Sequence, residues 1–536
     1  MLRQSTRFLA AAAVVLGANA VFAADPARPV FVPGELILQF RPEVAQEVRL
    51  SVLESARLHK IAELLGTKAL HVSLPKGANI LETAAALRKR PQIEYAEPNY
   101  YRYLEAVPND PRFGEMYGLD NTGQTGGTPD ADIDAPEAWD IAFGSASVVV
   151  ADLDSGMEMT HADLAANLYT NPGEIAGNGV DDDGNGFVDD VHGWDFRDED
   201  NNPSDPSFVC ASHGTHTAGT IGAVGNNGIG VTGVAQQVSI MPLRAFYPLA
   251  IFCTAQDSDL IEAIGYMALM RVPISNNSWG GGPFSRATQD AIGRTRMLFV
   301  TSAGNSSSNN DAVPSYPASY PLENILAVAA TDHNDALASF SNYGVNSVDV
   351  AAPGQNVLST IKGNAYGRLS GTSMSSPHVA GAAAVLLADE PGLTPHELRY
   401  RLMKGTDAKG LPVLTRGRLN LYNSLTLSPS PVTIEVTAVG STLISPGDAV
   451  RIQVTATNHS GTPQTVTGAV RVWTPGGKEV LFAGPVTGTL APGEVKTFTL
   501  DETAPATLPA GDYQVIGRVE NAVDVFDEDV VVYDVH

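Results

Sequence analysis

A serine hydroxyl is a poor nucleophile until an imidazole takes its proton, and the imidazole needs a carboxylate to hold its tautomer and steady the imidazolium. The sequence carries all three groups in distinctive segments. Asp154 closes the run Val148-Val-Val-Ala-Asp-Leu-Asp154, where Ser155-Gly156 turns the chain. His213 lies in Ser212-His-Gly-Thr-His-Thr-Ala-Gly219, and Ser373 in Gly371-Thr-Ser-Met-Ser-Ser-Pro-His-Val-Ala-Gly381. Attack on a carbonyl develops negative charge on oxygen, and Asn305, ending Thr301-Ser-Ala-Gly-Asn305, offers a side-chain amide to receive it. The chemistry these residue types describe is hydrolytic acyl transfer.

Groups so far apart in sequence need a scaffold that gathers them. Beyond Pro108, short apolar runs (148–153, 238–243, 298–302, 325–330) alternate with helical stretches (214–223, 260–270), which predicts an α/β unit: a doubly wound parallel sheet with helices on both faces. Functional residues in that architecture collect at the carboxyl ends of strands and at helix starts. Asp154 ends a strand in this scheme. His213 and Ser373 open helices of small residues, Pro377 is tolerated near the start of the second, and an oxyanion beside Ser373 faces its positive end.

Each segment alone has an ordinary alternative: Asp-Ser-Gly as a turn, a serine at a helix start as a cap, Asn after Gly as a turn residue. In the order Asp, His, Asn, Ser they resemble the subtilisin-like serine protease (subtilase) family, over about residues 109–427. The resemblance implies Ser373 as nucleophile, His213 as general base and then acid, Asp154 as its orienter and Asn305 as oxyanion donor. It also implies a substrate-binding strand at Asn277-Ser-Trp-Gly-Gly281, where Ser278, Trp279 and Gly280 meet an extended peptide as an added strand. Ser306 and Ser315 then stand at the pocket wall. Neither is acidic, so a neutral, apolar or aromatic side chain is expected before the scissile bond.

Asp152 is set aside as triad member because the family turn begins at Asp154, and Asp152 is expected on the opposite strand face. His216 and His378 are expected to pack or hydrogen-bond near the site, since His213 and His216 lack the zinc-protease spacing. The related sedolisins use Glu for the His and Asp for the Asn, so His213 and Asn305 exclude them. Activity should fall as His213 protonates below about pH 6.5. A non-catalytic binding protein, with the tail as adhesive, is the reading of another class; the intact triad and Asn305 argue against it.

Calcium takes six to eight oxygens. Residues 181–190, Asp-Asp-Asp-Gly-Asn-Gly-Phe-Val-Asp-Asp, repeat oxygen ligands at alternate positions like the first part of an EF-hand loop, without its closing Glu. Asp181, Asp183, Asn185 and the Phe187 carbonyl are expected ligands, with Asp189 or Asp190 completing the set. The resemblance implies a second structural Ca2+ at Asp110, Asp163 and the loop Val224-Gly-Asn-Asn-Gly-Ile-Gly-Val231, through Val224, Asn227, Ile229 and Val231. This loop is one residue longer than the subtilisin pattern, which leaves Asn226 or Asn227 open. Cys210 and Cys253 form one disulfide or remain two thiols; in a subtilase their bond braces the cleft rim.

At 536 residues two to four units are expected. A formal net charge of -26 disfavours nucleic acid as a partner. Arg3 and Arg7 precede an apolar stretch (8–21) too short to span a membrane, so residues 1–23 read as a signal peptide and the chain as secreted, with periplasmic transit or retention allowed. Residues 24–104 read as a small α+β unit, with strands near 35–40, 71–74 and 93–96, an amphipathic helical stretch through about Leu65, and a helix at 81–89. They resemble the family's inhibitory propeptides, with autocleavage expected between about Tyr103 and Val107. The peptidase unit is placed at 105–428. Residues 429–536, with strands near 433–439, 450–456 and 513–519 and Pro-Gly or Ala-Gly turns, read as an all-β immunoglobulin-like sandwich. The expected partners are protein or peptide substrates and the chain's own propeptide, with no membrane span, acting as a monomer.

Overall fold

The computed structural model describes residues 31–65, 67–100, 107–205, 210, 212–427, 430–474, 479–520 and 525–535. The signal stretch and most of the expected cleavage zone lie outside them.

Two compact units divide at Leu104 and Glu105. In the first, an antiparallel sheet has the order His59–Glu63, Leu70–Ser73, Phe31–Phe40, Ile93–Tyr100. Leu36, Leu38 and Phe40 alternate inward along their strand and meet Val52 and Leu53 of the helix Gln46–Ser55 and Ala84 and Leu87 of the helix Ile80–Arg88. The helical stretch expected to reach Leu65 stops at Ser55. Arg57 takes a left-handed conformation (φ 53°), and the chain returns as the strand His59–Glu63. The apolar period there served a sheet edge.

The second unit is built on a mixed, mainly parallel sheet with the order Asp407–Ala408, Gly417–Arg418, Val350–Pro353, Ile325–Thr331, Leu298–Ser302, Ile274–Asn277, Gly144–Asp154, Gln237–Arg244, Trp194–Asp195. Only the first pair is antiparallel. Sequence order reverses direction at Gly144–Asp154, whose neighbours are Ile274–Asn277 and Gln237–Arg244, so a crevice opens at the strand ends there. Apolar layers cover both faces. Val148 and Val150 pack with Ala218 and Ile221 of the helix His213–Gly222 and with Val379 and Ala383 of the helix Thr372–Asp389. Ala151 and Leu153 pack on the opposite face.

Because side chains two apart on a strand share a face, Asp152 lies on the same face as Asp154. The expectation that it points the other way is corrected: its carboxylate meets Thr217 on the His213 helix.

The C-terminal part forms two more sheets, with the orders Val432–Ala438, Ala449–Asn458, Val495–Thr503 and Leu443–Ile444, Val525–Val535, Gly511–Glu520, Gln464–Trp473, Glu479–Leu490. They share one apolar core. Between the edge strands Glu479–Leu490 and Val495–Thr503 the core is left open as an apolar cavity of about 370 Å³, with Phe498 and Val486 53% and 64% exposed at its rim. Arg518 of this part donates to Glu323 at 2.7 Å, fastening it to the peptidase body.

Candidate active site

Asp154 is the last residue of its strand and is 4% exposed. His213 is the first residue of its helix, and Ser212 before it turns the chain in a left-handed conformation (φ 62°). The helix approaches the strand's end closely because Gly214 has no side chain: a Cβ there would lie 2.2 Å from the Gly156 carbonyl oxygen. Nδ1 of His213 consequently sits 2.8 Å from both Asp154 oxygens. A carboxylate only accepts, so Nδ1 carries the proton and Nε2 is left with its lone pair. Burial alone would depress the imidazole's proton affinity, but the Asp154 charge and hydrogen bond, helped by Asp152 and Asp205, raise it above the ordinary histidine value.

Ser373 is in the first turn of the helix Thr372–Asp389, among N–H groups that have no partner within the helix. Its hydroxyl donates to the Ser278 carbonyl at 3.0 Å. Asn305 accepts the Thr372 N–H at 2.8 Å and the Thr372 hydroxyl at 3.0 Å through Oδ1. Only the carbonyl end of the amide can accept an N–H, so the amide is oriented and Nδ2 is free to donate elsewhere.

His213, Ser373, Asn305, Ser278, Trp279, Gly280, Ser306 and Ser315 all line one cleft of about 530 Å³. So does Asn342, which sequence reasoning missed. It is buried, accepts the N–H groups of Ser306 and Ser308, and lies where a Cβ on Gly304 would meet it at 2.5 Å. It thereby shapes the pocket from a distant loop that carries no local signal. The disulfide Cys210–Cys253 (Cα–Cα 5.1 Å) also reaches the cleft. His216 and His378 are buried, with hydrogen bonds to the carbonyls of Val357 and Met374.

The acidic loop gathers Asp183 and Asp190 of the expected set with a residue from upstream. Glu174, Asp183 and Asp190 bring carboxylate oxygens within 4.8 Å of one another. Asn185 donates to Asp183 and Asp190, and Asn171 donates to the same two. Glu174 was not anticipated; it lies upstream of the loop and also accepts the N–H groups of Asp182, Asp183 and Asp189. Asp181 accepts the N–H groups of Gly184, Asn185 and Gly186. Asp189 likewise accepts from Asn178 and Gly179, which leaves Asp190 in the cluster. The ring of Phe187 packs against Tyr266 and Trp194.

At the other loop, Asp110 accepts the N–H groups of Asn226 and Asn227. Asp163 accepts from the Asn227 amide at 2.7 Å and the Val231 N–H at 2.9 Å, and its carbonyl accepts the Val224 N–H. Of the two candidate asparagines, Asn227 reaches Asp163 while Asn226 turns to Gln236; the Ile229 N–H donates to the side-chain oxygen of Asn227. Both carboxylates are buried, and burial first, then Asp163, raises the Asp110 proton affinity.

The sequence profile described as the subtilase family matches residues 145–421. The chain belongs to the subtilase family. A profile for the fervidolysin N-terminal prodomain matches residues 18–99 of this subtilase. It is 34% identical over 402 residues to a thermophilic serine proteinase of Bacillus sp. (strain AK1), covering 74% of this chain and 88% of that one. It is also 34% identical to thermitase of Thermoactinomyces vulgaris, over 60% of this chain and 99% of the relative. An extracellular basic protease of Dichelobacter nodosus is 33% identical over 68% of this chain and 60% of its own length. The subtilase is thus a serine endopeptidase with a prodomain. Among the described residues no helix is long and apolar enough to cross a membrane.

Proposed function

We propose that this subtilase is a secreted zymogen that hydrolyses protein substrates through Ser373, His213 and Asp154, with Asn305 in the oxyanion hole. The observation that carries it is Nδ1 of His213 held 2.8 Å from both oxygens of Asp154 in the cleft that also contains Ser373 and Asn305. In this scheme the Ser373 hydroxyl turns from the Ser278 carbonyl to Nε2 of His213, gives up its proton and attacks the peptide carbonyl. Asn305 Nδ2 and the Ser373 N–H receive the oxyanion. His213 then protonates the leaving amine, and water hydrolyses the acyl-enzyme by the same steps.

Casein hydrolysis by the full chain in calcium is the test. Asn305→Leu should lower kcat by about 100- to 1000-fold with little change in KM, because the amide acts on charge present only in the transition state. Equal kcat in the variant would remove Asn305 from the scheme. Activity should fall as pH drops through a His213 pKa lying above the ordinary imidazole value of about 6.5, since only the neutral ring accepts the serine proton.

The pocket wall around Ser306, Ser315 and Asn342 offers amides and hydroxyls, which supports preference for a neutral, apolar or aromatic side chain before the scissile bond. A positional peptide library dominated by cleavage after Lys or Arg would overturn that preference. The domain scheme is a signal at 1–23, a propeptide at 24–104 released between about Tyr103 and Val107, a peptidase at 105–428, and an immunoglobulin-like β-sandwich at 429–536. Relatives named as extracellular proteases support export.

Two structural calcium ions complete the proposal. Both donor sets are hard oxygens, and the buried Asp110 and Asp163 repel each other without an ion-pair partner among the described residues, a strain that a cation relieves. Asp110, Asp163 and Asn227 would hold one ion, and Glu174, Asp183, Asn185 and Asp190 the other; each supplies folding energy, not chemistry. Excess chelator is therefore expected to lower the melting temperature by about 5 °C or more, measured by scanning calorimetry. An unchanged melting curve would remove calcium.

A further inference from the structure

Asp152 takes no part in that scheme, yet its surroundings are built around it. The side chain is 3% exposed, between the strand Gly144–Asp154 and the helix His213–Gly222. Oδ2 accepts the Thr217 hydroxyl at 2.8 Å, and Oδ1 accepts the Asn276 amide at 2.8 Å. Thr217 lies one helical turn beyond His213, and its hydroxyl is also 3.0 Å from the Gly214 carbonyl. Asn276 extends the contact toward the nucleophile. Its oxygen accepts the Ser376 hydroxyl at 2.8 Å, and its amide reaches the Ser278 hydroxyl at 3.0 Å. That hydroxyl donates to the main-chain carbonyl of Ser373 at 2.9 Å. One hydrogen-bonded path therefore runs from the His213 helix through Asp152 to the main chain of Ser373.

Among the described residues no cation forms an ion pair with Asp152. Asp154 faces it along its own strand and His213 from the helix, with Asp205 acting on His213 from further out. His216 on that helix and His378 on the helix Thr372–Asp389 are held neutral, pushed down by burial to about 3 and about 4. The strand Ile274–Asn277 carries no titratable side chain. Arg244, opposite Asp154 on the neighbouring strand, pairs with Asp195 and Asp198. Burial first, then Asp154, pushes the Asp152 carboxyl up to about 7. The fold does not call for such a group: Val148 and Val150, on the same strand face, are apolar, and an apolar residue avoids the desolvation of a charge.

We propose that Asp152 is a positioning residue for the reaction, a second buried carboxylate that ties the His213 helix to the Ser278 and Ser373 segments. This rests on the triad reading above. Ionised, it adds negative potential at the imidazole, making a stronger base and steadying the imidazolium formed as Ser373 attacks. Thr217 serves both protonation states: it donates to the carboxylate, or accepts from the acid while donating to Gly214.

Asp152→Asn keeps the shape and both contacts, since its oxygen accepts from Asn276 and its amide donates to Thr217. The measurement is kcat and KM against pH on a chromogenic peptide, in calcium, with a melting curve for each protein. The acid limb is expected to move to lower pH by about half a unit to one unit, because removing a negative charge lowers the His213 pKa. kcat on the plateau should fall about 3- to 10-fold with KM unchanged. Thr217→Val reaches the same carboxylate from the helix side. By removing a donor it keeps Asp152 protonated to higher pH, so its acid limb moves the same way, and the double variant moves no further. An acid limb displaced by less than about 0.1 pH unit in Asp152→Asn overturns the proposal. If that variant does not mature, the same result in Thr217→Val does so. Retained activity in Ser373→Ala would instead overturn the triad reading, which keeps the two failures apart.

Discussion

Ser373→Ala is expected to lower kcat by about a million-fold, and the expressed chain should keep its propeptide. The magnitude is that seen when the same atom is removed from a subtilisin, a member of this family. Among the described residues the hydroxyl bonds to the Ser278 carbonyl, in the first turn of a helix buried along most of its length, so its loss removes the attacking atom and leaves the packing in place. The melting temperature should accordingly stay within a few degrees of the wild type. Casein cleavage and the size of the secreted product, followed in wild type and variant together, check both halves. A wild type that is itself silent and unprocessed would leave a subtilase-shaped scaffold whose function lies in the all-β end.

Asp154→Asn is expected to lower kcat by about 10,000-fold with KM little changed. Oδ1 of Asp154 accepts the Ser155 N–H at 2.6 Å as well as facing His213. In the variant the amide oxygen keeps the Ser155 bond, which turns the NH2 group toward Nδ1 of His213. A donor there forces the ring proton onto Nε2, the atom that must accept from Ser373. The variant also loses the carboxylate that raises the imidazole pKa, so the residual activity should have its acid limb at lower pH. A pH profile of kcat on a small peptide reads both effects, and a loss smaller than about tenfold would put the orienting role elsewhere.

The parts of the site that could be read in the sequence are those whose constraint is local. Asp154 must end a strand and His213 and Ser373 must begin helices, so turn residues and small neighbours mark them within a few positions. Asn305 is marked in the same way by Ser302-Ala-Gly. Asn342 and Glu174 escaped because what makes them matter is an approach from another loop, to Gly304 in one case and to Asp183 and Asp190 in the other. Asp181 shows how such loops read two ways: alternating oxygens cap the loop's own N–H groups as readily as they face a cation. The misplacement of Asp152 was one of strand geometry, since a separation of two keeps a residue on the face of its partner. In the propeptide, apolar spacing near 59–63 suited a helix and a strand equally, and the choice was made by pairing with Leu70–Ser73.

The open mouth between the last two sheets has a colloidal consequence. Phe498, Val486 and Val495 stand exposed beside the edge strands Glu479–Leu490 and Val495–Thr503, a combination of unpaired main chain and apolar surface that invites molecules to stick to one another. At neutral pH the full chain's formal net charge of -26 makes such molecules repel one another. That protection fades as the carboxylates protonate toward the isoelectric point near 4.7. Acidification should therefore protonate His213 and weaken the molecule's dispersal together, so that in an acidifying medium the enzyme is expected to cloud out of solution as its activity falls.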